Sequence, residues 1–380
     1  MNAWRALYLH TTDLDRLVLD FLHPFFARHG MELRRAVWER HSAGGPHLRV
    51  RIEGTPEALE RVGTALYAEA TAYFAAHPSG DLETYSPERS RALLEREGAS
   101  YDDDELVYRN NEVVERPWPP PVSAFLSPEA ADLVDDFHNE LGPLEHAILA
   151  DTRPRREVAL RLYFLHAHLV TGDVLTGSVS WKSHWEGFFS TFPSAELLER
   201  IGQSYEASRE WIRGHLHEVD ALASEGRLAE DPILAGWAAL MHRYEARVRR
   251  ELEAAHVFTF QAGSSDEAAS LRSTMQQHLV RDSRFVRTFW SDDRFLTSIG
   301  DEIAFQVPRV LVNLFYHLVA RVGLSPLDKM ALCHHVTRAV EEDRGRDLQE
   351  VLEHNIAAVI ERRAPRRAGS MAPSSTVGAE

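Results

Sequence analysis

The chain has 380 residues, 44% of them hydrophobic and 26% charged, enough to bury a substantial core in one large domain or two ordinary ones. Its formal net charge of −16 excludes a general affinity for nucleic acid or anionic lipid, both of which are held through an excess of Lys and Arg. The single cysteine, Cys333, excludes an intramolecular disulfide framework and fits a reducing, cytoplasmic setting.

The first residues run straight into Asp13 and Asp15 without the apolar core of a signal peptide. The longest apolar run, near residues 310–322, is interrupted by Asn313, His317 and Arg321 and reads as too short to span a bilayer. No membrane partner is expected.

Residues 1–123 read as an α+β region, with an antiparallel sheet and helices. The pattern predicts a strand at about 4–10, a helix at 13–28, a hairpin pairing 32–40 with 47–53, and a helix at 56–76. Pro46-His47-Leu48-Arg49-Val50-Arg51-Ile52 alternates polar and apolar residues with a period of two. Leu48, Val50 and Ile52 therefore point into a core, and His47, Arg49 and Arg51 project together from the other face, spaced for one anionic or amide-rich ligand. A half-solvated edge strand kept soluble by its arginines has the same pattern. Ser42-Ala43-Gly44-Gly45-Pro46 supplies the flexible residues of the reversal.

Between residues 77 and 122 the periodicity is lost. This stretch holds an acidic run, Asp102-Asp103-Asp104-Glu105, and a rigid segment, Pro117-Trp118-Pro119-Pro120-Pro121; Tyr101, Tyr108 and Trp118 argue against disorder. In Tyr108-Arg109-Asn110-Asn111-Glu112 the last residue is either a general acid or base or an exposed loop carboxylate.

Residues 124–363 read as a mainly α-helical C-terminal part, packed with the first as one catalytic unit. It opens at Ser127, a good N-cap followed by Pro128, and further helices are expected at about 155–171, 195–222, 232–255, 265–280, 302–322, 326–343 and 347–362. Residues 364–380, rich in Ala, Pro, Ser, Gly and Arg, read as a disordered tail.

Two constellations in this part carry polar chemistry. Gly172-Asp173, followed by Ser178, Ser180, Lys182, Ser183, His184 and Glu186, either lines a cavity with Asp173, Ser183 and His184 or punctuates two helices, Gly172 ending one and Ser180 or Ser183 capping the next. Asn313, Tyr316 and His317 fall at i, i+3 and i+4 of an apolar helix and share one face, as a cavity lining or as paired core groups.

Twenty histidines invite a metal, yet no two lie three or four residues apart, the spacing that brings two ligands onto one helical face. There is no CxxC, no HExxH, no phosphate-cradling glycine loop and no nucleophile elbow. No metal and no cofactor is expected, so an enzyme of this sequence works by positioning and by proton transfer from ordinary side chains.

The order Trp4, Tyr8, Phe25-Phe26 and then Gly45-Pro46-His47-Leu48-Arg49-Val50-Arg51 resembles the elimination domain of lantibiotic dehydratases and its relatives in thiopeptide biosynthesis. His168-Leu169-Val170-Thr171-Gly172-Asp173, Ser180-Trp181-Lys182-Ser183-His184-Trp185-Glu186 and Asn313-Leu314-Phe315-Tyr316 with Arg321-Val322-Gly323-Leu324-Ser325-Pro326 are similar to the pyridine synthase branch. Two motifs of elimination domains, an Arg-Tyr-Gly-Gly and a His-Met…Asn-Arg, have no counterpart at Tyr85–Gly98 and His317–Arg321. The resemblance implies a formal [4+2] aza-cycloaddition of two dehydroalanines, with loss of water and leader peptide, in a cytoplasmic pathway. It implies catalytic roles for Tyr316, His317, Glu112 and His184, and substrate binding by His47, Arg49, Arg51, Asp173, Ser183 and Asn313. The implied partners are a ribosomally made precursor peptide with its leader, the other modification enzymes of the pathway, and a second copy in a homodimer. Glutamate elimination from glutamylated Ser or Thr, and a non-catalytic leader-binding subunit, are the alternatives.

Overall fold

The computed structural model describes residues 3–96, 103–116, 127–191, 193–256, 283–291 and 302–363. Four strands, β1 (Ala3–His10), β2 (Arg35–His41), β3 (His47–Gly54) and β4 (Glu112–Glu115), form one antiparallel sheet in the order β2-β3-β1-β4. The strand that carries Arg49 and Arg51 is therefore interior and not an edge. Gly44 and Gly45 turn the hairpin with φ of 71° and 97°, values that favour residues without a Cβ.

Alternation along the strands divides the sheet into two chemically different faces. Leu7, Leu9, Ala36, Trp38, Leu48, Val50, Ile52 and Val113 share an apolar core with Leu17, Val18, Phe25, Val62, Leu66 and Phe74. The latter come from the π-helical turn (Leu17–Leu22) that follows α1 (Leu14–Arg16), and from α2 (His23–His29) and α3 (Pro56–Ala76). The opposite face carries Tyr8 and His10, Arg35, Glu39 and His41, and His47, Arg49, Arg51 and Glu53, in a register that sets Glu39 and Tyr8 beside Arg49, and His41 and His10 beside His47.

Helices cover that polar face. After α4 (Pro87–Arg96) the helical part runs α5 (Pro128–Glu140), α6 (Gly142–Leu149), α7 (Arg155–Thr171), α8 (Val174–Thr191), α9 (Ala195–Ser224), α10 (Pro232–Glu253), α11 (Arg284–Ser291), α12 (Ile303–Arg321), α13 (Pro326–Arg344) and α14 (Leu348–Arg363). Ser127 caps α5, its hydroxyl accepting from the Ala130 amide at 3.2 Å, and Ser325 with Asp328 forms a capping box on α13. The centre is α7, buried on every side from Val158 to Ala167; Tyr163, Trp181, Trp237 and Phe315 pack into its core.

Ion pairs bind sheet to helices. Arg35 of β2 donates to Asp136 at 2.5 Å and Asp132 at 2.6 Å on α5, and Arg40 donates to the Arg321 carbonyl at 2.6 Å.

The helix boundaries of the C-terminal part follow the sequence pattern within a few residues, but α8 departs from it. Gly172 does end α7, in a left-handed conformation with φ 76°. The next helix then begins at once, because the Asp173 carboxylate accepts from the Leu175 and Thr176 amides at 3.3 and 2.8 Å; Ser180 and Ser183 lie inside α8 and cap nothing. The described residues of the 77–122 stretch, 77–96 and 103–116, also hold more regular structure than the lost periodicity suggests. They contain α4, a 3₁₀ turn (Asp103–Leu106) and β4, and the Tyr85 hydroxyl accepts from the Gly44 amide at 2.9 Å at the hairpin tip. The apolar run near 310–322 belongs to α12, whose 19 residues make it the one described helix long and apolar enough to cross a membrane; half of that window is buried inside the protein. The helix expected at 265–280, Tyr101, the Pro117–Pro121 segment and the tail at 364–380 lie outside the described residues.

Candidate functional site

On the polar sheet face, each basic group predicted from alternation is engaged. The His47 Nδ1 donates to the Gly45 carbonyl at 2.9 Å, which leaves Nε2 to accept from the Arg49 Nε at 3.4 Å. Arg49 then reaches Glu105 at 3.2 Å and lies 4.9 Å above the Tyr8 ring. Arg51 pairs with Asp135 of α5 and stacks over Trp4 at 4.0 Å. Burial drives His47 well below the ordinary imidazole value, helped by His10 and His41, so this histidine is neutral near pH 7.

Glu39, which the sequence did not single out, stands directly opposite Arg49 in the register. It is half-buried. Burial raises its pKa above the usual carboxylate value against the opposing pull of Arg51, Arg49 and Arg321, with Asp135 adding to the rise. Its position in an alternating strand was readable; that α5 and α12 close over it was not.

The α12 candidates occupy one partly accessible stripe: Asn313 is exposed, and Tyr316 and His317 are half-buried. The Tyr316 hydroxyl lies 3.5 Å from the Cys333 sulfur, its ring packs edge-on to His184 with centroids 4.9 Å apart, and the Lys329 ammonium sits 4.3 Å from the ring centroid. Burial pushes the phenol well above its ordinary value and the Cys333 thiol up to about 11, so both keep their protons at neutral pH. His184 donates from Nδ1 to the Ser180 carbonyl at 2.7 Å, and burial lowers it to about 4; its free Nε2 is then a proton acceptor.

His317 meets the sheet through α5. Its Nδ1 is 3.1 Å from Nε2 of His138, and burial lowers His317 to about 4 and His138 well below its usual value. The Nδ1 of His138 is buried without a partner. An unmet lone pair is cheaper there than an unmet N–H, so His138 donates from Nε2 and His317 keeps its proton on Nε2. Asp135 and His138, three residues apart on one face of α5, thus hold Arg51 and His317 and bring the sheet and helix candidates together.

The remaining candidates lie elsewhere. Asp173 is an exposed helix cap, and Ser183 is half-buried on α8 beside His184. Glu112 is exposed at the start of β4, where Arg109 donates to it at 2.9 Å. Among the described residues no group of three or more His, Cys, Asp and Glu could hold a metal ion. An open cavity of about 680 Å³ lies between α2, β2 and α6, lined in part by His23, Phe26, Trp38 and His146. None of the sequence candidates lines it.

The fold and site define an α+β protein in which a helical part closes over a polar sheet face. The chain matches the model of the lantibiotic biosynthesis dehydratase C-terminal family over residues 4–340, and it belongs to that family. Its fold is shared with the pyridine synthase TbtD from thiomuracin biosynthesis, at a TM-score of 0.68 and 22% identity, covering 90% of this chain and 99% of that one. It is likewise shared with TsrL, at a TM-score of 0.63 and 17% identity, covering 93% and 98%. No curated protein sequence matches.

Proposed function

We propose that this protein is a pyridine synthase of thiopeptide maturation, acting on a dehydrated precursor peptide that carries its leader. The observation that carries the reading is the end-to-end likeness to TbtD, joined to a site rich in neutral acid–base groups. The reaction is a formal [4+2] aza-cycloaddition. The amide of one dehydroalanine passes its N–H proton to its carbonyl oxygen to become a 2-azadiene, the alkene of the second dehydroalanine closes the ring, and loss of water and of the leader as an amide gives the pyridine.

Each proton movement has a residue suited to it. The Nε2 of His184 accepts the amide proton, while the Tyr316 hydroxyl and the Nε2–H of His317 donate to the carbonyl oxygen and later to the departing hydroxyl. Arg49 and Arg51 hold peptide carbonyls, with Asn313 and Ser183 at the margin, while His47, its two nitrogens spent on the Gly45 carbonyl and on Arg49, orients Arg49. Glu39, inside the polar face, takes the proton-relay role for which Glu112 was a candidate on sequence grounds. Holding the two alkenes together lowers the entropic part of the barrier.

A second reading, glutamate elimination, is favoured by one contact: Arg49 already holds a glutamate carboxylate, that of Glu105. One experiment decides. The purified protein is incubated with an azole-bearing peptide containing two dehydroalanines and, separately, with a glutamylated peptide, and the product masses are read. A macrocycle together with an amidated leader supports the cycloaddition; dehydroalanine formed from the glutamylated peptide overturns it in favour of elimination.

A further inference from the structure

Beside the Tyr316 cluster stand two cations whose side chains meet no counterion among the described residues. Arg309, Asn313 and Tyr316 follow one another at i, i+4 and i+7 along the accessible stripe of α12. Arg309 lies 5.5 Å over the Phe305 ring, and Lys329, from α13, lies 4.3 Å over the Tyr316 ring. Among the described residues neither side chain makes a hydrogen bond or an ion pair, unlike those of Arg35, Arg40, Arg153 or Arg321, each of which meets a carboxylate. Burial pulls both below their ordinary values, and the Tyr316 ring, which touches both Lys329 and His184, links the α13 cation to that imidazole.

Acidic residues outnumber Lys and Arg by 58 to 42 in this chain, so counterions are plentiful. Two half-buried cations left unneutralised cost folding free energy and return it when an anion arrives. Arg offers a planar fork matched to a carboxylate, and Lys a point charge.

We propose that Arg309 and Lys329, with Asn313 one turn along the stripe from Arg309, form a carboxylate-binding subsite that anchors an acidic group of the peptide substrate next to Tyr316 and His184. The inference rests on the reading of the protein as a peptide-modifying enzyme. The carboxylate comes either from an acidic side chain of the leader or from the free C-terminus of the peptide, and the same pocket chemistry accepts both.

The test uses the full-length protein and four versions of a fluorescently labelled, dehydroalanine-bearing peptide. Its acidic leader residues are retained or changed to their amides, and its C-terminus is a free acid or a carboxamide. Binding is measured by anisotropy for the wild type, Lys329→Met and Arg309→Gln, with turnover of the unmodified peptide followed by mass. Removing the recognised carboxylate weakens wild-type binding about tenfold or more, and the version affected names its source. Once Lys329 is methionine, the same change in the peptide has little further effect.

Both variants keep the wild-type circular dichroism spectrum, and Lys329→Met melts no lower than wild type, since it removes an uncompensated charge. Turnover with equal affinity for all four peptides overturns the subsite and leaves the function standing. So do losses that add independently in peptide and protein. Failure of the wild type to bind or convert any peptide overturns both.

Discussion

Arg321 lies 2.9 Å from Glu145, and the two side chains are 1% and 0% exposed. The pair ties α12 to α6 and, through the Trp38 indole donating to Glu145 at 3.0 Å, to the sheet. Arg321 also donates to the His138 carbonyl, the residue that orients His317, so one buried ion pair fixes the geometry on which the candidate site depends.

Glu145→Gln leaves the Arg321 guanidinium buried without its countercharge and is expected to destabilise the protein by ~3–5 kcal/mol, read as a lower midpoint in urea with an unchanged slope. The double variant Glu145→Leu, Arg321→Met recovers part of that loss, because neither charge is then stranded. A cost below ~1 kcal/mol for the single variant means the pair does not hold the seam.

Glu39→Gln tests the acid–base role directly. The substitution keeps shape and removes the titratable group, so kcat is expected to fall by ~10²–10⁴ with KM within a few fold. In the wild type kcat declines as the pH falls through the raised pKa of Glu39; the glutamine variant has no such limb. Survival of that limb in Glu39→Gln assigns it to another group.

Much of the fold is legible in the sequence because burial is one-sided. Leu48, Val50 and Ile52 alternate with charged residues, so β3 and both its faces can be read, and Ser127 and Ser325 mark helix starts by their own hydrogen bonds. The beginning of α8 is harder to read: its first turns mix Val174, Leu175 and Val179 with Thr176, Gly177, Ser178 and Ser180, Gly177 passing close to the Ala167 backbone of α7, and a helix so rich in glycine and serine looks like a loop. The site was half legible. Arg49, Arg51, Tyr316 and His317 announce themselves by residue type, whereas the importance of Glu39, His138 and Glu145 comes only from what α5, α6 and α12 bring against them, and ordinary acidic and imidazole side chains carry no sign of such long-range contacts.

Acid sensitivity follows from the buried imidazoles. Burial lowers His10, His23, His184, His317, His334 and His335 to about 4, and His41 and His166 to about 3. Below the unfolded value of about 6.5 the unfolded chain binds protons that the folded chain refuses, so stability is fully present above pH 6.5 and is lost as the pH falls toward 4 and then 3. The melting temperature is expected to drop steeply over that window. His166, 0% exposed and with both ring nitrogens unpartnered, isolates one contribution: His166→Leu is expected to be near neutral at pH 7.5 and stabilising relative to wild type at pH 5. An equal offset at both values refutes the assignment.

Asp173 separates a structural carboxylate from a substrate ligand within one residue. Its oxygens are spent on the Leu175 and Thr176 amides and the Thr176 hydroxyl at 2.8 Å. Burial raises its pKa, but the Thr176 hydrogen bonds outweigh that and leave it below the ordinary value, the signature of a cap in use. Asp173→Ala is therefore expected to cost ~1 kcal/mol of stability, with Asp173→Ser recovering much of it, while kcat and KM stay within about twofold of wild type once the protein is held below its melting range. A tenfold rise in KM with unchanged stability would make Asp173 a substrate ligand and leave the start of α8 to its other hydrogen bonds.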